Sequence, residues 1–319
     1  MTGFQIVIGI TAAVILFLHG LQAFSHELQA VAGPVMRRWL TRITASRLRG
    51  MAVGAIATGI VQSSSAISAI TVALVDSGVL TFRASLGVML GANIGTTTTA
   101  WLVSYKLTGI GSVFIVIGAL LGLLPSKARV AGKAVFYFGF IFFALDLVSV
   151  ALQPLHTNGV WQAWLSAADD PWSGIVIGIV ATALLQSSSV VVGLTVLLAQ
   201  QGLLPPAAAV PIVIGSNVGT TATALVASLR LGVLAKRSAS ANLMFNLAGL
   251  VLVAPFLPWL ARTVVELTDT PAVAVATAHL YFNVGIALVF LAVLALMHQR
   301  LARFDLPPRP EGRQSPPPN

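Results

Sequence analysis

Cysteine is absent from the 319 residues, and charge is scarce: Asp, Glu, Lys and Arg together make up 8% of the chain. Without cysteine there are no disulfides and no thiolate metal sites. With so little charge, where a soluble domain carries about a quarter, the chain has no polar surface to present to water. Hydrophobic residues fill 57% of positions, and the mean hydropathy is +0.92. A bilayer is the solvent that suits this composition.

Acidic residues are the rarer sign, nine against eighteen basic ones, for a net charge of +9. The basic residues sit in short clusters between apolar runs rather than among aromatics. This is the pattern of cytoplasmic loops and excludes a nucleic-acid surface. The first apolar run, Phe4 to Phe24, has the roughly 20 residues of a spanning helix. No basic residue precedes it and no small-residue cleavage pattern follows, so it reads as a retained helix.

Ser25 to Gly50 holds Arg37, Arg38, Arg42, Arg47 and Arg49 against one acid, Glu27, and reads as an interfacial amphipathic helix. Further apolar segments lie at about 51–75, 84–104, 110–124, 131–153, 174–199, 207–228, 240–260 and 276–297, and the proline-rich tail from Pro307 reads as disordered.

The chain repeats itself. Ala57–Ala100 aligns without a gap on Ala181–Ala224, 124 residues on, with 19 of 44 positions identical. Internal duplication is a recurrent construction of secondary transporters, with the substrate site at the repeat interface.

Basic residues test the topology. If 51–75 and 174–199 are re-entrant hairpins that return to the side they came from, 16 Lys and Arg lie inside, with Lys106 and Arg262 outside. If both segments cross fully, with the first loop still inside, the split is 13 to 5. The positive-inside rule favours the hairpins, which also gives the two repeats opposite orientations.

The expected fold is therefore an all-α polytopic membrane protein of two inverted repeats, each with a re-entrant hairpin and a broken transmembrane helix. Residues 1–130 form the first repeat with its N-terminal helix and basic linker, and 131–262 the second. Residues 263–306 form a final transmembrane helix and 307–319 the tail. The N-terminus lies outside and the C-terminus in the cytoplasm.

Chemistry concentrates in four polar blocks: Gln62-Ser63-Ser64-Ser65, Gln186-Ser187-Ser188-Ser189, and the runs Gly91–Thr99 and Gly215–Thr223. Single Ser or Thr residues commonly serve helix packing in membranes. Two matched pairs of such blocks point instead to backbone that leaves the helix where it lines a cavity. The serine triplets would start the second arm of each hairpin, and the threonines the second half of each broken helix. Four helix N-termini would then present N–H groups and positive dipole ends to an oxyanion.

No Lys or Arg lies between Arg49 and Arg83, between Arg83 and Lys106, or from Ser173 to Leu229. A buried oxyanion there needs another countercharge. Amide and hydroxyl oxygens suit a hard monovalent cation. The repeat cores also lack intramembrane acids or histidine for a proton relay, Asp76 lying near a hairpin end, so sodium fits better than a proton.

The paired Gln-Ser-Ser-Ser blocks, each followed 31 residues later by Asn-x-Gly-Thr-Thr, resemble the sodium-dependent phosphate cotransporter family, type II and its bacterial relatives. The resemblance implies alternating-access symport of phosphate with Na+ as coupling ion and no other cofactor, in a bacterial inner membrane. It implies phosphate at Gln62, Ser63, Ser64, Ser65, Gln186, Ser187, Ser188 and Ser189. It implies sodium at Thr58, Asn93, Thr96, Thr97, Thr182, Asn217, Thr220 and Thr221. The partners are then phosphate, sodium and lipid, with a homo-oligomer left open.

Many bacterial relatives carry a large soluble C-terminal domain where this sequence has a short tail. A family-like His-x-x-Phe-Asn element stands at His279–Asn283, while its counterpart reads Asn242 to Asn246. His279 reads as packed near a helix end, Asp146 as an intramembrane polar contact, and His19 as structural. The alternatives are a carrier of sulfate or a carboxylate, an anion channel on the same hairpins, and an intramembrane serine hydrolase. The last lacks a Gly-x-Ser-x-Gly elbow, so the chain reads as no enzyme.

Overall fold

A computed structural model describes residues 3–42, 46–105, 109–124, 127–157, 159 and 170–297. The tail from Pro307, Ser126 and Asp169 lie outside the described residues.

Among the described residues the chain is all helical: α1 Gly3–Thr41, α2 Arg47–Val61, α3 Ser64–Asp76, α4 Phe82–Ser104, α5 Ile110–Gly122 and α6 Lys127–Leu152. After a 3-10 turn, Gln153–Thr157, come α7 Pro171–Leu185, α8 Ser188–Gln200, α9 Pro206–Ser228 and α10 Val233–Val253. A second 3-10 turn, Ala254–Phe256, leads into α11 Leu257–Glu266, and α12 Pro271–Leu296 follows. Among the described residues, five helical stretches are long and apolar enough to cross a membrane: Gly3–Thr41, Arg129–Leu155, Pro206–Ser228, Val233–Glu266 and Pro271–Leu296. The protein is a polytopic integral membrane protein.

The duplication extends to the helix boundaries. Both ends of α7, α8 and α9 fall 124 residues after those of α2, α3 and α4. Gly78 and Gly202, in the loops before α4 and α9, share positive φ values of 71° and 69°.

Three expectations are corrected. First, Phe4–Phe24 and the basic stretch after it are one helix. At 1.5 Å per residue the 39-residue α1 is about 58 Å long, nearly twice a hydrocarbon core of roughly 30 Å. Among the described residues there is no separate interfacial helix: Arg37 and Arg38 lie in the last turns of α1, whereas Arg47 and Arg49 open α2.

Second, segment 110–124, which the count of basic residues carries across the membrane between Lys106 and Lys127, forms a helix of 13 residues, about 20 Å long and shorter than that core.

Third, α4 and α9 are unbroken through Gly91–Thr99 and Gly215–Thr223. The threonine hydroxyls do not cap new helices; they donate to carbonyls of the preceding turn. Thr96 donates to Ala92 O at 2.9 Å and Thr97 to Ile94 O at 2.7 Å. Thr220 donates to Ser216 O at 2.9 Å and Thr221 to Val218 O at 2.7 Å. Side chains that satisfy themselves in this way sit comfortably inside a helix.

The glycines of those blocks serve close packing. A Cβ on Gly87, Gly91 or Gly95 would overlap the backbone of Arg47, Met51 or Ala55 on α2, and one on Gly54 would overlap Val88 O on α4. In the second half, Gly215 and Gly219 press against Ile175 and Ile179, and Gly178 against Ile212. Helix backbones approach this closely where small residues recur every fourth position, a device suited to a solvent that offers no hydrophobic drive between helices. Thus α2 lies along α4 and α7 along α9, while α3 packs on α9 and α8 on α4. Each short second helix therefore touches the long helix of its own half and that of the other.

Candidate functional site

Each short pair turns in two residues. Gln62 ends α2 with φ 56° and ψ 28°, and Gln186 ends α7 with φ 53° and ψ 24°. They are the only non-glycine residues with positive φ among the described residues. A left-handed glutamine costs energy that surrounding contacts must hold in place, and such positions gather at ligand sites. Ser63 and Ser187 follow in extended conformation, and α3 and α8 begin at Ser64 and Ser188, so the triplets do start the second arms. Ser63 caps α3, its Oγ accepting from Ala66 N at 3.2 Å, whereas Ser187 makes no such bond.

Both glutamine side chains are held alike. Gln62 Nε2 donates to Gly59 O and Gln186 Nε2 to Ala183 O. Thr99 donates to Gln62 Oε1 at 2.8 Å, and Thr223 donates to Gln186 Oε1 at 2.9 Å. The environments differ: Gln62 is buried and Gln186 exposed. Thr99 Oγ1 also lies 3.3 Å from Ser189 Oγ, so one buried hydroxyl joins the first glutamine to the second serine block.

Around this junction Ser64, Ser188 and Ser189 are buried, and Ser63, Ser65 and Ser187 half-buried. As first residues of their helices, Ser64, Ser65, Ser188 and Ser189 have N–H groups with no intrahelical acceptor. They stand at the positive ends of α3 and α8, where anions are stabilised. Two helix N-termini are available here, rather than the four expected from broken helices.

One turn before each glutamine, Thr58 and Thr182 are 1% and 0% exposed, and their hydroxyls have no hydrogen-bond partner. Each presses its Cβ against the glycine opposite, Gly95 or Gly219. A buried unpartnered hydroxyl is costly, and two at matched positions ask for a common explanation. Their oxygens are available to a hard cation.

The asparagines lead elsewhere. Asn93 donates to Asn246 Oδ1 on α10 at 3.2 Å. Asn217 donates to Val213 O, and its Oδ1 lies 3.4 Å from Nε2 of the fully buried His279 on α12. Asn246 and Asn283 in turn donate to the carbonyls of Asn242 and His279. Among the described residues no hydrogen bond joins Asn93 or Asn217 to the Gln-Ser-Ser-Ser blocks. His279 is packed as expected, yet it lies in the third turn of α12 and not near its end.

Asp146 accepts from Gly109 N at 3.1 Å, a polar contact that caps α5. Asp76, the last residue of α3, accepts from Gly232 N at 2.6 Å before α10. His19 is exposed on α1. Sequence reading missed Thr99 and Thr223 as site members. The available signal was the glutamine-to-threonine spacing of 37, kept in both halves.

The model of the Na+/Pi-cotransporter family matches the chain twice, over residues 16–150 and 147–299. The chain belongs to that family. This membership accounts for the duplication, since each half matches by itself. The "Uncharacterized protein YqeW" of Bacillus subtilis (strain 168) is 33% identical over 297 residues, 92% of this chain and 96% of its own length. The "Putative inorganic phosphate export protein YjbB" of Escherichia coli (strain K12) is 29% identical over 283 residues, 88% of this chain. That alignment spans about half of YjbB, 52% of its length. Human "Sodium-dependent phosphate transport protein 2B" is 35% identical over 100 residues, 31% of this chain and 14% of its own length. No solved structure matches.

Proposed function

We propose that this family member carries inorganic phosphate across a bacterial plasma membrane together with sodium ions, by alternating access between two inverted repeats. In this reading α2 and α3, and α7 and α8, are re-entrant pairs, and the substrate site lies where they meet. The observation that carries it is the Gln62–Thr99–Ser189 chain, which brings the first glutamine turn against the second serine block in buried surroundings.

Phosphate would be held by the serine hydroxyls and the open N–H groups at the starts of α3 and α8, with Gln62 and Gln186 fixing the turns. Sodium would take oxygens from Thr58 and Thr182, together with Thr96, Thr97, Thr220 and Thr221. Those four threonines give their protons to the backbone and leave lone pairs free. Asn93 and Asn217 act through the networks that tie α4 to α10 and α9 to α12. No Lys or Arg occurs in α3, α7, α8 or α9, so sodium supplies the countercharge. Phosphate export, in the name of YjbB, and sodium-dependent phosphate transport, in that of the human relative, support the substrate.

The test is radiolabelled phosphate flux in proteoliposomes under an imposed sodium gradient, with unlabelled sulfate and carboxylates as competitors. Saturable, sodium-driven flux that only phosphate competes away is expected. Flux that does not saturate would indicate a channel, and competition by sulfate a different cargo.

A further inference from the structure

Beside the first serine block, with Val61 and Ala66 on either side of it in the lining, a cavity of about 970 Å³ opens between α1 and α3. This is the upper end of the roughly 300–1,000 Å³ of small-molecule sites. One wall is a stripe of α1 from Gln29 to Thr41, and the other a stripe of α3 from Ala66 to Ser77. Ser25 Oγ, donating to Val61 O at 2.9 Å, fixes α1 against the end of α2 where the groove starts. Met36 and Leu40 join Leu74, Val75 and Leu80 in one buried cluster, which fixes the other end.

The walls are mostly apolar, and charge is confined to one end. Arg37 and Arg38 line the cavity, both exposed, and their guanidinium groups meet no carboxylate among the described residues. The stripe from Gln29 to Thr41 is about 18 Å long at 1.5 Å per residue. That is close to one leaflet of a hydrocarbon core of roughly 30 Å. Trp39, partly exposed at the arginine end, is a residue type that settles at the membrane interface.

We propose that this groove binds one anionic phospholipid, its acyl chain lying between α1 and α3 and its headgroup phosphate on Arg37 and Arg38. A leaflet-deep apolar trough with unpaired arginines at the interfacial end matches that ligand in length, polarity and charge. A free anion would have no use for the trough, and a second copy of the chain would need an acidic group to meet the arginines. The lipid would touch α3 from Ala66, the residue after Ser65, so its presence would brace the helix that starts at the first serine triplet.

Native mass spectrometry of the full chain in detergent, titrated separately with phosphatidylglycerol, phosphatidylcholine and inorganic phosphate, tests the proposal without reference to transport. One retained phosphatidylglycerol per chain is expected, in clear preference to phosphatidylcholine. Basic residues near a membrane surface contribute about 1 kcal/mol each, roughly fivefold in affinity. The Arg37→Gln/Arg38→Gln variant should therefore lose on the order of 25-fold for phosphatidylglycerol, while Arg37→Lys/Arg38→Lys retains most of it. Ala73→Trp, which fills the groove from its exposed wall, should weaken both lipids. Equal retention of the two lipids independent of the arginines, displacement of phosphatidylglycerol by phosphate, or a dimer lost on Ala73→Trp would each overturn it.

Discussion

Thr99 Oγ1 lies 3.3 Å from Ser189 Oγ, although the two residues are 90 apart in sequence and belong to different halves of the chain. Thr99 has one proton, and it goes to Gln62 Oε1 at 2.8 Å. Ser189 Oγ stands in the accepting position toward the same Thr99 hydroxyl, as the weaker of two acceptors for that one proton. Thr99→Val keeps the shape and leaves a buried amide oxygen short of its donor, at a cost of about 1–3 kcal/mol. Phosphate uptake should drop sharply and be restored by Thr99→Ser. The matched Thr223→Val, beside an exposed glutamine, should lose clearly less. Equal losses at the two positions would show that burial does not set the importance of this contact.

Apparent phosphate affinity, measured by initial uptake rates, should rise with sodium, and sodium affinity with phosphate, because linkage is reciprocal. Potassium should not substitute. Phosphate binding indifferent to sodium over a wide range would remove the argument from the missing basic side chains.

Ser64→Ala and Ser188→Ala should each weaken phosphate about ten- to a hundredfold. A hydrogen bond to a charged ligand is worth roughly 1.5–3 kcal/mol. The double variant should depart from the sum of the singles, as residues on one ligand do. Near-normal uptake by both single variants would move the site to other members of the motifs.

Gly91→Ala should destabilise the protein strongly, because its Cβ would overlap the Met51 carbonyl and the rigid backbone there cannot give way. Gly9→Ala on α1, with nothing within 4 Å, should be neutral or gain the better helix propensity of alanine. Thermal melting in detergent separates the two, and similar melting points would refute the backbone-contact account.

A single cysteine at Ser77 tests the topology, since that residue is exposed after α3. With a re-entrant α2–α3 pair it is labelled by an impermeant reagent from the cytoplasmic side only. Labelling from outside would mean a full crossing.

Much of this was legible in the residues. The polar blocks and the constant offset gave the duplication, and serine after glutamine marked the two tight turns. The role of glycine is less legible. Gly91 and Gly95 lie inside an unbroken α4, and their spacing of four repeats that of Gly50 and Gly54 on α2, which is the mark of touching helices. Threonine is no more legible, because bonding back to a carbonyl within the helix leaves no trace in composition. The α1 boundary was missed because arginines on the last turns of a long helix look, in sequence, like a separate surface helix. The asparagine–histidine networks could have been suspected from polar pairs four apart, Asn242 with Asn246 and His279 with Asn283, in otherwise apolar helices.

The glycine ladders also set where the molecule can deform. Where carbonyls of one helix rest on the Cα positions of another, there is no layer of side chains to reorient, and shear between them is blocked. The α2–α4 and α7–α9 pairs are thus stiff bodies. Relative displacement is then absorbed where elements of different pairs meet, among them the seams of α3 with α9 and of α8 with α4. At the second of these, Thr99 and Ser189 face each other through hydroxyls that can exchange partners by rotating about a single bond.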